Sequence, residues 1–191
     1  MAISCFRRFG EAWFGVVLDD SERVISCGFS IRGREKIVNS ILSSLPPDTL
    51  ISEGLTDRYA SSILESLNLI YEGKDPKVRP ELAWDRLPPF HRRVLRLTAL
   101  IPKRKVATYG GIAAGVGEPK GARAVGNAEA SNPFAPLVPC HRVISSSLGL
   151  GGYGGDVEVK KAFLMREGVV FVGNRVAPRC LWKPDVVMES P

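Results

Sequence analysis

Apolar and polar residues alternate in short runs over residues 3–31. Such period-two alternation is typical of strands with one buried face, and Asp19-Asp20 supplies a turn between two of the runs. Apolar residues then recur at helical spacing in two segments, which end at Pro46-Pro47 and at Gly73. The pattern predicts a small antiparallel sheet followed by helices, an α/β domain over residues 1–85.

A proline-rich connection without periodicity, residues 73–89, leads to a second domain, which we place at residues 86–174 and predict to be mainly α-helical. Two short helical segments, 109–116 and 120–130, flank a turn that contains glycine, which is the sequence form of a helix-turn-helix. Helical hairpins of this form are also common in proteins that do not bind DNA. Residues 169–176 are predicted to be a short strand or extended segment, and residues 175–191 form a C-terminal tail that we expect to be loose from Ala177 onward.

Composition narrows the class of protein without assigning a function. With 191 residues, of which 45% are hydrophobic and 24% charged, the chain is expected to fold into one or two globular domains. No apolar run approaches the roughly 20 residues that span a bilayer, so we expect a cytoplasmic protein without a membrane segment. The net charge of +6 is compatible with a polyanionic partner but does not require one.

The four cysteines lie far apart and form no C-x-x-C pair, so neither a zinc ribbon nor a thioredoxin site is indicated and no metal is predicted. Cys5 and Cys27 both fall in predicted strands. Two buried thiols are the favoured interpretation, and a disulfide between them stays open.

Residues 132–143 form a loop that three prolines restrict, with Cys140 near its end and His141 directly after it. A free thiol has a pKa of about 8.5, so a nucleophilic Cys140 needs a base or a positive field, which His141 and Arg142 can supply. Neighbouring side chains of an extended segment point to opposite faces, which favours a water between His141 and the sulfur. Glu167, at the end of a last helix predicted over residues 157–167, is the candidate that orients the imidazole. The alternative is an inert buried cysteine beside a core histidine.

The second helix of the predicted helix-turn-helix carries mostly small side chains around Arg123. Such a surface can approach another surface closely. Either a ligand or a neighbouring helix could take that place, and in the second case Arg123 would form a salt bridge. The small residues are Gly121, Ala122, Ala124, Gly126 and Ala128.

The run Pro139-Cys140-His141-Arg142-Val143 resembles the active-site signature of the O6-alkylguanine-DNA alkyltransferases. The resemblance is strong over residues 88–170, and over residues 1–85 it rests on general layout. Further segments stand at the family's offsets from the cysteine, namely Thr108-Tyr109-Gly110-Gly111-Ile112-Ala113, Ala122-Arg123-Ala124-Val125-Gly126, Asn132-Pro133, Gly152-Tyr153 and Glu167-Gly168.

The resemblance implies a ribonuclease H-like first domain and a winged-helix-like second domain. It implies direct-reversal repair, in which the alkyl group of O6-alkylguanine, and less readily of O4-alkylthymine, is transferred irreversibly from double-stranded DNA to Cys140. The protein would act once, as a monomer, by base flipping through the minor groove and without a cofactor.

By the same resemblance, Cys140 is the acceptor, His141 the water-bridged base and Glu167 its partner. Asn132 braces the helix-turn-helix against the active-site loop, and Tyr109 hydrogen-bonds the guanine ring nitrogen.

On the DNA side, the resemblance implies that Arg123 fills the gap left by the flipped nucleotide. The family often has a serine where this chain has Gly154, so a side-chain contact to the guanine oxygen is lost here. Further DNA contacts are implied for Thr108, Ala122, Ala124 and Gly126, and the base pocket comprises Pro139, Val143, Tyr153 and Gly154.

Two other functions remain open from the residues alone. One is a lesion sensor or DNA-binding regulator that uses the same helix-turn-helix, although relatives that only bind lesions lack the acceptor cysteine. The other is a cysteine hydrolase built on Cys140 and His141. Its phosphatase form needs a phosphate-cradling loop after the cysteine, which is not found here.

Overall fold

The computed structural model of the chain describes residues 2–47, 49–53, 58–151 and 157–184. The chain divides into two compact units, Met1–Arg86 with Pro133–Leu137, and Leu87–Asn132 with Val138–Pro191. The short segment belongs to the first unit because the Cys27 amide donates to the Pro133 carbonyl at 2.8 Å and the Phe134 ring lies edge-on to Trp84.

The first unit is a mixed sheet with helices. Strands β1 (Ala2–Phe9), β2 (Ala12–Leu18) and β3 (Val24–Ser30) are antiparallel, as the alternation predicts. Strand β4 (Ile51–Glu53) pairs parallel to β1, giving the order β3-β2-β1-β4. The prediction of a purely antiparallel sheet is therefore wrong, because a three-residue strand is too short to show a period in the sequence.

Helices α1 (Arg34–Leu42) and α2 (Arg58–Tyr71) cover opposite faces of this sheet. A Cβ on Gly15 of β2 would lie 2.6 Å from Ile41 Cδ1 of α1. The next residue back along the strand, Phe14, points to the other face and packs edge-on against Tyr71 of α2, with ring centroids 5.8 Å apart. Burial on both faces explains why β2 is almost continuously apolar.

Cys5 and Cys27 are both buried and form no disulfide in the structure. Each stands opposite Val16, one on β1 and the other on β3. With β2 between them, their Cα atoms are about two strand spacings, roughly 10 Å, apart, beyond the reach of a disulfide. Within the described ranges, no three His, Cys, Asp or Glu side chains are grouped so that they could hold a metal ion.

The second unit is mainly helical, as predicted. Its helices are α3 (Pro89–Ala99), α4 (Tyr109–Gly115), α5 (Ala122–Ala130) and α6 (Val157–Arg166), and its short strands are β5 (Ala107–Thr108), β6 (Val143–Ile144), β7 (Phe171–Val172) and β8 (Arg175–Val176). Helices α4 and α5 are the predicted pair, and Gly117 in the turn between them has a φ of +81°, a conformation that favours glycine.

Buried residues from α3, α4 and α5 form one core with both strands of the parallel β5–β6 pair. The pair has two residues in each strand, and it ties the start of α4 to the segment that follows Cys140. No helix in the part of the chain that the structure describes is both long enough and apolar enough to cross a bilayer.

The prediction of a loose tail from Ala177 is wrong for residues 177–184, whereas the short strand predicted before it is found. Strand β8 pairs with β7, Cys180 is buried, and the Trp182 amide donates to the Val106 carbonyl at 2.7 Å. Trp182 also packs against the core formed by α3, α4 and α5. Tertiary pairing holds this segment, and such pairing leaves no local period in the sequence. Residues 185–191 lie outside the described residues.

Candidate active site

Cys140 begins a single 3₁₀ turn, Cys140–Arg142, which leads directly into β6. The turn is closed by the Arg142 amide, which donates to the Pro139 carbonyl at 2.8 Å. The expected extended geometry is therefore wrong. Successive side chains of a 3₁₀ turn are rotated by about a third of a circle, so Cys140 and His141 still point in different directions. Cys140 is buried, with 5% of its surface exposed.

His141 and Glu167 form a buried pair, the arrangement expected from the sequence. The His141 Nε2 atom lies 2.9 Å from Glu167 Oε1, and the Phe163 ring of α6 packs against the imidazole with centroids 4.7 Å apart. Both side chains are almost completely buried. The ring orientation is therefore fixed by the carboxylate on one side and the aromatic face on the other.

Arg142 completes this group as a partner of Glu167. Its Nε and Nη2 atoms donate to the two Glu167 oxygens at 2.8 and 2.7 Å, and its Nη1 donates to the Ile101 carbonyl at 2.6 Å. The expected role of Arg142, a positive field for the Cys140 sulfur, is thus replaced by a fork that holds the carboxylate.

Ionisation of this group determines which imidazole nitrogen is basic. Burial opposes ionisation of Glu167, but hydrogen bonds from His141 and Arg142 outweigh it and hold the pKa of Glu167 at about 2. The carboxylate is an acceptor only, so the His141 Nε2 must carry the hydrogen. Burial lowers the pKa of His141, which keeps the ring neutral. Nδ1, buried and without a hydrogen-bond partner among the described residues, is then the atom that can accept a proton.

Lys160 is a site residue that the sequence reasoning missed. It lies fully buried on α6, its Nζ donates to the Val143 carbonyl at 2.6 Å, and it stands 5.7 Å from the Tyr109 ring centroid. Burial lowers its pKa to about 8, while the Cys140 charge favours the ammonium form. Its position in the sequence could have indicated its burial, because Lys160 shares the buried face of α6 with Phe163 and Leu164 at spacings of three and four residues.

Tyr109, the first residue of α4, forms one wall of the site. Burial raises its pKa, and the charges of Glu129 and Cys140 raise it further, so the phenol stays protonated. A Cβ on Gly151 would lie 3.2 Å from the ring, and Gly151 has a φ of +68°, so glycine is required for this approach. Gly126, expected to face DNA, lies beside the same ring. A Cβ placed on Gly126 would lie 4.0 Å from the Tyr109 Cε1 atom.

Asn132 stands just after α5 and links the two ends of the segment Pro133–Leu137. Its amide Nδ2 donates to the Val138 carbonyl at 2.9 Å, two residues before Cys140. The end of the second helix of the helix-turn-helix is thereby connected to the approach to the nucleophile.

The residues assigned to DNA contact are distributed unevenly. Arg123 and Ala124 are exposed on α5 and Ala122 is half-buried, and Arg123 forms no ion pair with any residue in the described ranges. The Thr108 hydroxyl is used within the chain, where it caps α4 by accepting from the Gly111 amide at 2.9 Å.

The base-pocket residues divide between described and undescribed parts of the chain. Pro139 and Val143 are buried beside Cys140, and the Val143 carbonyl already accepts one hydrogen bond, from Lys160. Tyr153 and Gly154 lie outside the described residues.

A thiol backed by a His–Glu pair, in a unit built around a helix-turn-helix, defines a class of proteins that combine a cysteine nucleophile with a DNA-binding type of scaffold. Residues 89–169 match the model of the 6-O-methylguanine DNA methyltransferase DNA-binding domain. The methylated-DNA–protein-cysteine methyltransferase of Thermococcus gammatolerans is 35% identical over 169 residues, which are 85% of the chain and 94% of the relative.

The methylated-DNA–protein-cysteine methyltransferase of Mycobacterium bovis is 41% identical over 107 residues, covering 56% of the chain and 64% of that relative. A crystal structure of Mycobacterium tuberculosis OGT in complex with DNA is similar with a TM-score of 0.68 at 28% identity, covering 86% of the chain and 92% of the other. The chain therefore belongs to the methylated-DNA–protein-cysteine methyltransferase family.

Proposed function

We propose that this protein reverses alkylation damage in DNA by moving the alkyl group from O6 of guanine, and less readily from O4 of thymine, onto Cys140. The observation that carries the proposal is the buried Cys140 beside the His141–Glu167 pair. The names of the relatives agree with this activity.

The chemistry is a displacement at carbon. His141 Nδ1 takes the thiol proton, through a water, and the Cys140 sulfur attacks the alkyl carbon. A C–S bond forms as the C–O bond to guanine breaks, and guanine leaves as an anion that Tyr109 stabilises by donating its hydroxyl proton. Alignment, thiolate character and a stabilised leaving group are what such a step requires. The product is a thioether, which thiol exchange does not reverse, so each molecule acts once.

DNA recognition is proposed for the exposed face of α5. Arg123 enters the duplex through the minor groove and takes the place of the flipped nucleotide, while Ala122 and Ala124 let the helix approach closely. We further propose that the second unit is winged-helix-like and the first unit ribonuclease H-like. The protein would act as a monomer in the cytoplasm. The similarity to the mycobacterial protein, whose structure was solved in complex with DNA, supports DNA as the partner.

Replacing Arg123 with alanine is expected to slow transfer from a duplex substrate by roughly tenfold, because flipping costs a few kcal/mol and the side chain offsets part of it. Transfer from a single-stranded lesion should change less, because that base is not stacked in a duplex. Single-turnover rates on both substrates measure the difference. Lys120→Ala, which removes an exposed positive charge three residues away, is the control. Equal slowing by both variants would reduce the role of Arg123 to charge alone.

Titration of a duplex that carries one O6-methylguanine tests the function directly. Loss of the lesion, measured by chromatography of the digested DNA, should saturate at one lesion per protein. Binding without loss of the lesion would indicate a sensor, and loss of many lesions per protein would indicate a true turnover enzyme. Either result would overturn the proposal.

A further inference from the structure

Glu129 on α5 is a buried acid that the mechanism above does not use. Only 6% of its surface is exposed. Its Oε1 atom lies 2.5 Å from the hydroxyl of Thr98 on α3, which is also buried. Its Oε2 atom is buried and has no hydrogen-bond partner within the described ranges. An ionised carboxylate would leave that oxygen without compensation, whereas a protonated one carries a hydrogen and loses less on burial.

Besides Thr98, this carboxyl interacts electrostatically with two groups, Lys160 and Tyr109, which the charge of the nucleophile also affects. The Lys160 ammonium is favoured by the charges of both Cys140 and Glu129. The Tyr109 phenol is affected by the same two charges. Lys160 and Tyr109 also lie close together, with Nζ 5.7 Å from the ring centroid. Glu129 therefore belongs to one electrostatic cluster with the reacting thiol.

Three other ionisable groups on α3 have partners of their own. The His91 Nδ1 lies 3.3 Å from the Ser131 hydroxyl, Arg92 donates to the Leu87 carbonyl and Arg93 stacks on the Phe90 ring, while Arg96 of the same helix is exposed. The groups that interact with Glu129 are Thr98 of α3, Tyr109 of α4 and Lys160 of α6.

We propose that Glu129 supplies the proton that the departing guanine takes up, so that the negative charge lost from Cys140 reappears on the Glu129 carboxylate. This inference rests on the proposed alkyl transfer and names the source of its proton.

Alkyl transfer and the accompanying proton transfers conserve charge and protons. The C–S bond forms, the C–O bond breaks, and the thiolate charge passes to guanine. Guanine takes a proton from Tyr109, and the phenolate regains one from Glu129, with Lys160 as the neighbouring carrier. Counting the thiol proton that His141 takes up, the sum converts a thiol, a neutral imidazole and a carboxylic acid into a thioether, an imidazolium and a carboxylate. From the moment the thiolate forms, the Lys160 ammonium has an anionic neighbour, first the Cys140 sulfur and then the Glu129 carboxylate, which matters because an unpaired buried charge is costly.

The ionisation of the free protein fits this assignment. Burial raises the pKa of Glu129 to about 8, although Thr98 and Lys160 favour the charged form, so the acid is protonated at pH 7. Alkylation leaves Cys140 as a thioether, which cannot carry a negative charge. The Glu129 carboxylate then no longer competes with a Cys140 thiolate for Lys160, so the pKa of Glu129 is expected to fall.

Infrared spectroscopy tests the proposal, because a protonated carboxylic acid has a C=O stretching band that a carboxylate lacks. The protein is fully alkylated with an O6-methylguanine duplex and separated from the DNA, which gives spent protein. It is compared at pH 7 with unspent protein, which has not reacted. We expect a buried-acid band in unspent protein that is lost on alkylation and is absent from Glu129→Gln in both states. In a pH titration, the band of unspent protein should disappear near pH 8, and that of spent protein at lower pH.

Two controls separate proton supply from structure. Thr98→Val breaks the same hydrogen bond but keeps the acid, and it should retain the loss of the band on alkylation. Glu129→Gln should slow transfer by at least about tenfold, toward the lower end of what a positioned acid contributes. A band that persists in protein whose mass shows full alkylation would overturn this inference alone. An unchanged mass would overturn the proposed function instead.

Discussion

Replacing Cys140 with serine is expected to abolish alkyl transfer and to leave binding of the alkylated duplex intact. Serine is close to cysteine in size, so the buried turn should keep its structure. Its hydroxyl is far less acidic than a thiol, and a neutral His141 cannot generate a useful alkoxide from it. The loss should therefore reach the detection limit of a labelled-methyl assay, whereas a gel-shift titration should give an unchanged Kd.

Cys180→Ser is the matched control, because Cys180 is equally buried, at 5% exposure, in the same unit. This variant should transfer with full stoichiometry. Methyl transfer that survives in Cys140→Ser would contradict the assignment of the acceptor. Transfer lost only in Cys180→Ser would move the acceptor to that cysteine.

The second large effect is expected from Glu167→Gln. The amide offers one acceptor oxygen in place of two, so the charged Arg142 guanidinium loses one of its two hydrogen bonds to this side chain. Breaking a buried ion pair from one side costs about 3–5 kcal/mol, and we expect a loss of about 3 kcal/mol in the free energy of unfolding. The same change allows the other His141 tautomer, which should slow transfer by about a hundredfold.

The contribution of Glu167 to the free energy of unfolding depends on pH. Because the pKa of Glu167 falls from 4.5 to about 2 on folding, its stabilisation is present above pH 4.5 and is lost as the pH falls toward 2. Urea unfolding between pH 7 and 3 should show this loss in the parent protein and not in Glu167→Gln. Glu158→Gln, at an exposed site on α6, is the control and should cost under about 1 kcal/mol. Equal effects of the two variants would contradict the buried network.

Elements with a clear period were predictable, and elements without one were not. Helices α2, α3 and α5 and the three antiparallel strands each bury one face or one stripe, so their sequences carry the pattern. Strand β4 and the β5–β6 pair have only two or three residues per strand and depend on distant partners. The same holds for residues 177–184, which are fixed by pairing with Val106 and by packing.

The candidate site follows the same division. Cys140 and His141 are adjacent in sequence, and the need to orient the imidazole already indicated Glu167. The match to the family's signature then brought in Asn132 and Tyr109. What the sequence did not predict is how buried charges are partnered. Arg142 binds Glu167, and two residues of ordinary surface type, Lys160 and Glu129, are buried near the thiol. A charge on a helix usually indicates a solvated face, and only tertiary packing shows the exceptions.

Cys140 as the acceptor can be identified by intact-mass spectrometry with peptide mapping, after the protein is mixed with a duplex that carries one O6-methylguanine. We expect a gain of one methyl group per protein, located on Cys140 in the peptide that contains Pro139 and His141. An unchanged protein mass after the lesion has been bound, or a methyl group on any other residue, would contradict Cys140 as the acceptor.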